Sequence, residues 1–448
     1  MLKNNWSPYV GLFVSFLIIY SYTKRNDRFL VTQSQVLSQS RCGDVHLYKH
    51  LSAELYGLNF SLVMAEETQK VELNKNSIQW SDARFEEDLD KRTCKEYLSY
   101  RNYLLQSPVV DEESFPIAYS IVVHRDAHQV ERMIRAIYRP QNHYCIHVDA
   151  KSSQMYKLMQ KYVKCFDNVF LIDDRTDVIY ADYTRLEADI KCMKALLPRK
   201  WNYLINLCGM DFPLKTNYQM VNYLRGLYPH QSAESFPLAR GSGKSLRFEY
   251  SWISDSAREK PSEDEYTLEN IPNGAFWRSN VKNKMESYPL GQDAVLFGGS
   301  GKQIQSLVNY LSFSAYNIFS RDFINFTCTH PVVESIFKWS RDTYSPEEYV
   351  WATLVRQDFA PGSRPKSGKF DVNEIQSRAR LVKWSDYAGV QYPICNGYWR
   401  HSICVYGYGD VGWLMKREHL FANKFDTNHP KSNAAVQCLE VRDCHFFF

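Results

Sequence analysis

The segment Ser-Pro-Glu-Glu at 345–348 stands directly before an apolar, helix-forming run and offers two roles for one carboxylate. In the first, Ser345 is the N-cap of a helix, Pro346 takes its first position, and Glu348 reaches back to the Ser345 amide in a capping box. In the second, Glu348 is a general base that takes a proton from a hydroxyl group at the mouth of a cleft. The segment on its own favours the cap, so the rest of the chain must decide.

Several other catalytic patterns are absent from the sequence. It contains no G-x-S-x-G or H-E-x-x-H segment, which argues against a serine hydrolase elbow and a zinc protease. Three glycine-rich loops, at 241–245, 298–302 and 367–369, lack the spacing of a phosphate loop. Asp149-Ala150-Lys151 follows an early strand where a metal-binding Asp-x-Asp would be expected. The sequence therefore predicts no metal site and no nucleotide triphosphatase.

Alternating strand and helix patterns begin near residue 114. Apolar runs at 114–124, 144–149, 168–172 and 202–208 are separated by amphipathic stretches. This alternation predicts an α/β fold with a mostly parallel sheet that helices cover on both faces. Such sheets bind ligands at the carboxyl ends of their strands. Here those ends carry His124, Asp149 and the segment 208–215, whereas no G-x-G-x-x-G follows the first strand.

The N-terminus and the cysteines indicate a compartment. Residues 6–22 form an uncharged apolar run without a small-residue cleavage site, which favours a short membrane anchor over a removed signal peptide. The alternative is a hydrophobic N-terminal helix of a soluble protein. The 11 scattered cysteines and the Asn59 and Asn325 glycosylation triplets agree with a lumenal body. The mild net charge of +4 gives no support for nucleic-acid binding.

Six segments give the chain a family resemblance over roughly residues 90–440: FPIAYSIVVH, NHYCIHVD, WNYLINLCGMDFPLKTN, DTYSPEEYVWATL, ARLVKW and LFANKFD. Together, in this order, they resemble the core 2 and I-branching β-1,6-N-acetylglucosaminyltransferases. The resemblance implies the A-type glycosyltransferase (GT-A) fold with a Rossmann-like N-terminal half. It also implies inverting, metal-independent transfer of N-acetylglucosamine from UDP-N-acetylglucosamine. The acceptor would be the C6 hydroxyl of a galactose or N-acetylgalactosamine residue on an O-glycan or poly-lactosamine chain.

The resemblance implies a type II Golgi membrane protein with a lumenal catalytic domain. We therefore expect a cytoplasmic tail at 1–5, a signal anchor at 6–22, a stem and the start of the folded body at 23–112, and the glycosyltransferase domain at 113–448. The expected partners are a UDP-sugar and a glycan or glycoprotein acceptor, with no nucleic acid. A homodimer is left open.

Site residues also follow from the resemblance. Glu348 matches the general base, and Lys424 matches a lysine that binds the diphosphate, although a plain surface lysine is the alternative. The family's diphosphate-binding arginine is replaced by His401, with Arg400 beside it. The remaining positions expected to contact UDP are Val122, His124, Asp149 and Tyr180, where Asp149 has the alternative role of a helix cap. The expected acceptor contacts are Glu234, Lys244, Arg247 and Trp384.

The family's cysteine pattern implies four disulfide bonds, with Cys208 unpaired. The pairs are Cys42–Cys438, Cys94–Cys165, Cys145–Cys192 and Cys395–Cys404. Cys328 and Cys444 are additional; they pair with each other, link two chains or stay reduced.

Departures from the family pattern keep two other functions open. His401, Asp386 in place of an aromatic residue, and the segment GQDAV at 291–295 all alter expected ligand contacts. One alternative is a degenerate family member that binds a glycan or a partner without turnover. The other is a sister enzyme with a different donor or acceptor, such as a xylosyltransferase-like activity.

Overall fold

A computed structural model describes residues 80–107, 110–237, 246–255, 262–271, 274–280, 310–312, 314–364 and 376–445. Several predictions lie outside these residues, namely the tail and anchor at 1–22, Cys42, Asn59, Lys244, the 291–295 segment and the Cys444 side chain. In the part of the chain that the structure covers, no helix has both the length and the apolar character needed to cross a bilayer.

The first half of the described chain alternates strands with helices, as predicted. Its elements are α1 Asp82–Asp90, α2 Cys94–Tyr100, α3 Val110–Glu113, β1 Ile117–Val123, α4 Ala127–Ile137, β2 His143–Val148, α5 Ser153–Val163, β3 Val169–Leu171, α6 Tyr183–Leu196, β4 Tyr203–Cys208, β5 Asp211–Pro213 and α7 Asn217–Leu227.

The second half has shorter and less regular elements. They are β6 Phe236–Pro237, α8 Leu246–Glu249, β7 Trp252–Ser254, β8 Tyr266–Ile271, β9 Gly274–Ser279, β10 Tyr310–Leu311, β11 Ile318–Ser320, α9 Arg321–Thr329, α10 Pro331–Trp339, α11 Val350–Leu354, β12 Arg380–Val382, β13 Tyr398–Arg400, β14 Ile403–Val405, α12 Val411–Met415, β15 Phe421–Asn423 and α13 Pro430–His445.

The central sheet confirms the predicted parallel arrangement. Its strand order is β11-β4-β1-β2-β3, and only β11 runs antiparallel. Every residue of β1 is buried, as expected for a strand covered on both faces. Val122 is in register with His147 of β2 and Cys208 of β4. The carboxyl ends of these three strands therefore lie at one edge of the sheet.

Helices cover both faces of this sheet because successive side chains of β1 point to opposite sides. Tyr119 belongs to one apolar cluster, with α4 and α5 residues such as Met133 and Met159. Ala118 belongs to the other, with Leu186 of α6. The mixed α/β architecture with a parallel sheet fits a GT-A-like glycosyltransferase.

A second sheet brings distant sequence to the same edge. The strands β12, β15 and β5 pair in the order β12-β15-β5, and β5 begins three residues after β4 ends. The pairing of Asn423 with Asp211 therefore places the end of β15 next to the end of β4. The adjacent β13–β14 hairpin, with Arg400 paired to Ile403, follows Cys395.

Two of the predicted disulfide bonds are confirmed, and one is not formed. The bonds Cys94–Cys165 and Cys395–Cys404 are present. Cys145 of β2 and Cys192 of α6 are buried thiols, so the prediction of a bond between them is wrong for this structure. Burial and the neighbouring Cys192 thiol raise the pKa of Cys145 well above its usual range. Since a thiolate is the reactive form, this raised pKa lowers the reactivity of the Cys145 thiol.

The other cysteines and the second glycosylation triplet have defined surroundings. Cys208 and Cys328 are half-buried and carry no disulfide, and Cys438 is buried on α13. Asn325 is exposed on α9, whereas the Thr327 hydroxyl is buried and donates to the Ile324 carbonyl at 2.9 Å. The expected glycosylation of Asn325 stays a prediction.

Candidate active site

The backbone before Glu348 does not form the predicted capping box. Pro346 begins a 3₁₀ turn, Pro346–Glu348, as its ring geometry favours. Ser345 has a left-handed backbone (φ 50°), and its side chain makes no cap hydrogen bond. Its amide donates instead to the Ala181 carbonyl at 2.7 Å. The cap prediction is therefore wrong, because a tertiary contact occupies the amide that Glu348 was expected to reach.

The Glu348 carboxylate is held by an arginine. Its Oε2 accepts from Nη1 of Arg247 in a half-buried ion pair, in which the two side chains are 26% and 27% exposed. The Arg247 guanidinium lies 5.4 Å from the centre of the Tyr344 ring, and the Tyr344 amide donates to the Arg247 carbonyl at 2.9 Å. Burial alone would lower the pKa of Arg247, but the Glu348 carboxylate outweighs it and the pKa is raised. A predicted acceptor-binding residue thus contacts the predicted base.

Glu347 lies in a more buried environment than Glu348, and the sequence analysis did not identify it as a site residue. It is only 7% exposed, and its Oε2 is buried with no hydrogen-bond partner among the described residues. Burial and the adjacent Glu348 raise the pKa of Glu347 to about 8, although Arg185 and Arg247 oppose the shift. Arg185 is itself paired with Asp189 at 2.7 Å. Glu347 is therefore predominantly neutral at pH 7.

Ser312 connects the base to a second predicted acceptor residue. Its amide donates to the Glu348 carbonyl at 2.6 Å, and its hydroxyl donates to Glu234 Oε2 at 3.0 Å. Burial, the Tyr387 hydroxyl and the Glu234 carboxylate together raise the pKa of Tyr392. An aromatic side chain is therefore close to Glu234 as well.

Trp384 lies in a different segment, beside the β13–β14 hairpin. It is half-buried and forms an isolated bridge with Ile403. The next residues provide an exposed carboxylate, Asp386, and an exposed ring, Tyr387, which lies 6.1 Å from the Tyr392 ring. The structure brings together Glu234, Arg247 and Glu348, and joins the Trp384 segment to them through Tyr387 and Tyr392.

The predicted nucleotide residues lie at the carboxyl edge of the central sheet. Val122 is buried in β1 and His124 is exposed just beyond it. The Asp149 amide donates to the Val123 carbonyl at 2.8 Å. The Asp149 carboxylate accepts from the Lys151 amide at 2.9 Å. This contact closes a turn ahead of α5, whose N-cap is Ser152, so Asp149 does not cap that helix.

Tyr180 lies between the two groups of residues. It is 55% exposed, and the carbonyl of the next residue, Ala181, accepts from the Ser345 amide. Burial and the nearby Tyr180 hydroxyl raise the pKa of Tyr344 to about 12. Tyr180 is thus next to the segment that carries Glu348, and it can contact a ligand that spans both groups.

Lys424 follows β15 and is half-buried, which does not fit the alternative of a plain surface lysine. Its Nζ lies 3.5 Å from the Arg400 carbonyl. The pKa of Lys424 is lowered to about 8 by burial, with a partial offset from Cys208 and further lowering by Arg380, Arg400 and Arg125. Several cations therefore lie near Lys424.

His401 occupies the tip of the β13–β14 hairpin. It is exposed and has a left-handed backbone (φ 51°), as has Ser402 (φ 58°). Cys395, Cys404 and Asp410 are the one group of potential metal ligands found in the described residues. Both of its sulfur atoms are joined in the disulfide, so this group does not have the donors of a metal centre.

Comparison with known proteins identifies relatives along most of the chain. A family model described as "Core-2/I-Branching enzyme" matches residues 117–415. The human protein named beta-1,3-galactosyl-O-glycosyl-glycoprotein beta-1,6-N-acetylglucosaminyltransferase is 36% identical over 355 residues, which cover 78% of this chain and 74% of that protein. The mouse protein of the same name with the number 4 is 40% identical, covering 75% and 67% of the two chains. The sheep protein with the number 3 is 34% identical, covering 91% and 87%.

Proposed function

The chain belongs to the Core-2/I-branching enzyme family, and on this premise we propose that it is a β-1,6-N-acetylglucosaminyltransferase. It transfers N-acetylglucosamine from UDP-N-acetylglucosamine to the C6 hydroxyl of a galactose or N-acetylgalactosamine residue. The products are β-1,6 branches on O-glycans or poly-lactosamine chains. The relatives' names describe this same linkage and sugar.

The observation that carries the proposal is the surroundings of Glu348. Its carboxylate is partly exposed and is paired with Arg247, and Ser312 joins its backbone to Glu234. A sugar has hydroxyl groups in several directions, and charged side chains on both sides of the base can hold them. Glu348 is thus a carboxylate that an acceptor hydroxyl can approach.

In the proposed reaction, the C6 oxygen of the acceptor attacks the anomeric carbon of N-acetylglucosamine. Its proton passes to Glu348 as the new C–O bond forms. The bond between the anomeric carbon and the diphosphate oxygen breaks, and UDP departs with the bonding electron pair. One displacement inverts the anomeric centre.

The leaving UDP needs positive charge beside the diphosphate, since this charge is not removed by protonation. Arg400 ends β13 and Lys424 follows β15, next to the end of β4. Both are placed to supply this charge, because their side chains make no ion pair with a carboxylate of the described chain. We propose that they act without a metal ion. The uridine side would lie along Val122, His124, Asp149 and Tyr180.

The proposed location is the Golgi lumen, with the protein anchored by residues 6–22 as a single-pass type II membrane protein. The Cys94–Cys165 and Cys395–Cys404 bonds support an oxidising compartment. Membership of the Core-2/I-branching enzyme family supports the same proposed location.

The test is transfer from UDP-N-acetylglucosamine to a Galβ1-3GalNAc acceptor by wild-type protein and by Glu348→Gln. The substitution removes the base but keeps the shape of the side chain, so kcat should fall about 100-fold or more. The affinity for UDP should stay within about twofold, since the diphosphate is bound elsewhere. Glu334→Gln is the control, because Glu334 is an exposed glutamate of α10, and it should behave as wild type.

Two results would contradict this proposal. Substantial turnover by Glu348→Gln would remove Glu348 as the base. Tight UDP binding by the wild-type protein without turnover on a panel of glycan acceptors would favour a family member that binds without catalysis.

A further inference from the structure

Basic side chains from three separate segments meet at the carboxyl edge of the central sheet. His124 and Arg125 follow β1, Arg400 ends β13, and Lys424 follows β15. The sequence comparison with the family assigns roles to three of these four residues and none to Arg125. Its surroundings show that it belongs to the same group.

Packing contacts tie Arg125 to the Lys424 segment. Arg125 Nη2 lies 3.7 Å from the Met210 sulfur, and the Met210 carbonyl accepts from the Phe425 amide at 2.9 Å. The Gln129 side chain donates to the Gly209 carbonyl at 2.7 Å and to the Phe425 carbonyl at 2.9 Å. The loop after β4 therefore holds Arg125 on one side and the residue next to Lys424 on the other.

The electrostatic effects agree with this geometry. Burial and Arg125 lower the pKa of His124, and Arg400 adds to the effect. The pKa of Lys424 is lowered mainly by burial, and Arg400 and Arg125 also contribute. Both guanidinium groups also oppose the rise in the pKa of Tyr398. These effects agree with the contacts above in placing Arg125, Arg400 and Lys424 near one another.

Two members of this group, Arg400 and Lys424, lack the carboxylate partner that accompanies several buried arginines elsewhere in the described chain. Arg132 is paired with Glu440 at 2.7 Å, and Arg139 with Glu112 at 3.0 Å. Within the described chain, Arg400 and Lys424 make no such pair. Arg125 has Asp126 at 3.3 Å, but its buried Nε makes no hydrogen bond there. Only Arg125 of these three cations has a carboxylate partner in the described chain. Partly desolvated cations repel one another, so an anion with more than one negative charge is the ligand that fits them.

We propose that Arg125 binds the diphosphate of the nucleotide-sugar donor together with Arg400 and Lys424, and so supplies the guanidinium that is absent at His401. The inference rests on the proposed function for the identity of the anion. A guanidinium can donate two parallel hydrogen bonds to phosphate oxygens, whereas the Lys424 ammonium is a point charge. In this proposal, the loop after β1 provides the arginine side chain that contacts the diphosphate.

The experiment compares the binding of UDP and of uridine by calorimetry, using the full chain in detergent. Arg125→Gln should weaken UDP binding about tenfold or more, as expected for the loss of charge-assisted hydrogen bonds. Uridine binding should stay within about twofold, because it has no phosphate. Arg125→Lys should recover part of the loss.

Arg84→Gln is the matched control. Arg84 and Arg125 have side chains that are 36% and 37% exposed, and each is within reach of a carboxylate. Arg84 lies on α1, where it pairs with Glu87 and Asp88 of the same helix, so its replacement removes one positive charge from outside the proposed diphosphate site. Its UDP affinity should equal that of wild type.

Three outcomes would overturn the proposal. These are equal UDP affinities for Arg125→Gln and Arg84→Gln, an equal loss of UDP and uridine binding in Arg125→Gln, and a wild-type protein that does not bind UDP. Failure of the proposed function gives a different result. A protein that binds UDP without transferring the sugar would still show weaker UDP binding in Arg125→Gln.

Discussion

Replacement of Glu347 by Gln should stabilise the protein at neutral and alkaline pH. Glu347 is buried beside the Glu348 carboxylate, and both effects raise its pKa to about 8 from an ordinary value of 4.5. The folded protein therefore keeps a proton on Glu347 where the unfolded chain has lost it. Glutamine has nearly the same shape and carries no charge at any pH, so it removes this difference.

The sign and size follow from proton linkage. A raised pKa in the folded state means that the folded state binds more protons, so stability falls as pH rises between 4.5 and about 8 and levels off above that value. Each pH unit within this window costs about 1.4 kcal/mol. From pH 5.5 to 8 the free energy of unfolding of the wild type should fall by about 3 kcal/mol relative to that of Glu347→Gln. For the roughly 300 residues that the structure describes, this corresponds to a difference of about 5 °C in Tm.

The assay is thermal unfolding of wild type, Glu347→Gln and the exposed control Glu334→Gln at constant ionic strength from pH 5.5 to 8.5. The Tm of Glu347→Gln should rise above that of wild type progressively over this range, whereas the control should show a constant difference. At pH 7 the variant should keep most of its transferase activity, because the native Glu347 side chain is already largely neutral. A pH-independent Tm difference for Glu347→Gln would refute the assignment of a protonated Glu347.

The other predictions concern charge at the two ligand sites. The pKa of Lys424 is about 8, so its cation is present below that pH and lost above it. UDP affinity measured by calorimetry should therefore fall from pH 7 to 9 in wild type. Lys424→Gln should bind UDP more weakly at pH 7 and lose this pH dependence. If the UDP affinities of wild type and Lys424→Gln fell equally with pH, the role of Lys424 would be contradicted. Arg247→Gln breaks the ion pair with Glu348. We expect KM for the glycan acceptor to rise about tenfold and UDP affinity to stay unchanged. A loss of UDP affinity with an unchanged acceptor KM would instead assign Arg247 to the donor site. Transfer should persist in EDTA, whereas a loss that manganese restores would overturn the metal-independent reaction.

The sequence was sufficient to predict the central sheet and the edge of that sheet at which His124 and Asp149 lie. Both depend on local patterns, since an apolar run such as Ile117–Val123 is typical of a strand covered on both faces. The positions of His124 and Asp149 at the strand ends then follow from connectivity. These predictions needed no knowledge of long-range contacts.

The contacts that define the site could not be predicted in the same way. Ser345 has all the local features of an N-cap, but its amide donates to Ala181, 164 positions earlier in the chain. Arg125 and Lys424 are almost 300 positions apart, and long-range contacts such as the pairing of β15 with β5 bring them together. Cys145 and Cys192 match the positions of a disulfide bond in the family, but this match could not show whether the bond forms in this chain.

The two adjacent glutamates show how the fold assigns different chemistry to identical residues. Glu347 is buried with an unpartnered oxygen, so up to pH about 8 it already holds the proton that a general base would have to accept. Glu348 is partly exposed, is paired with Arg247, and lies beside Ser312 and Glu234. Of the two carboxylates, Glu348 is the more accessible to an acceptor sugar. This difference in burial favours Glu348 over Glu347 as the proposed base on physical grounds, without reference to any related protein.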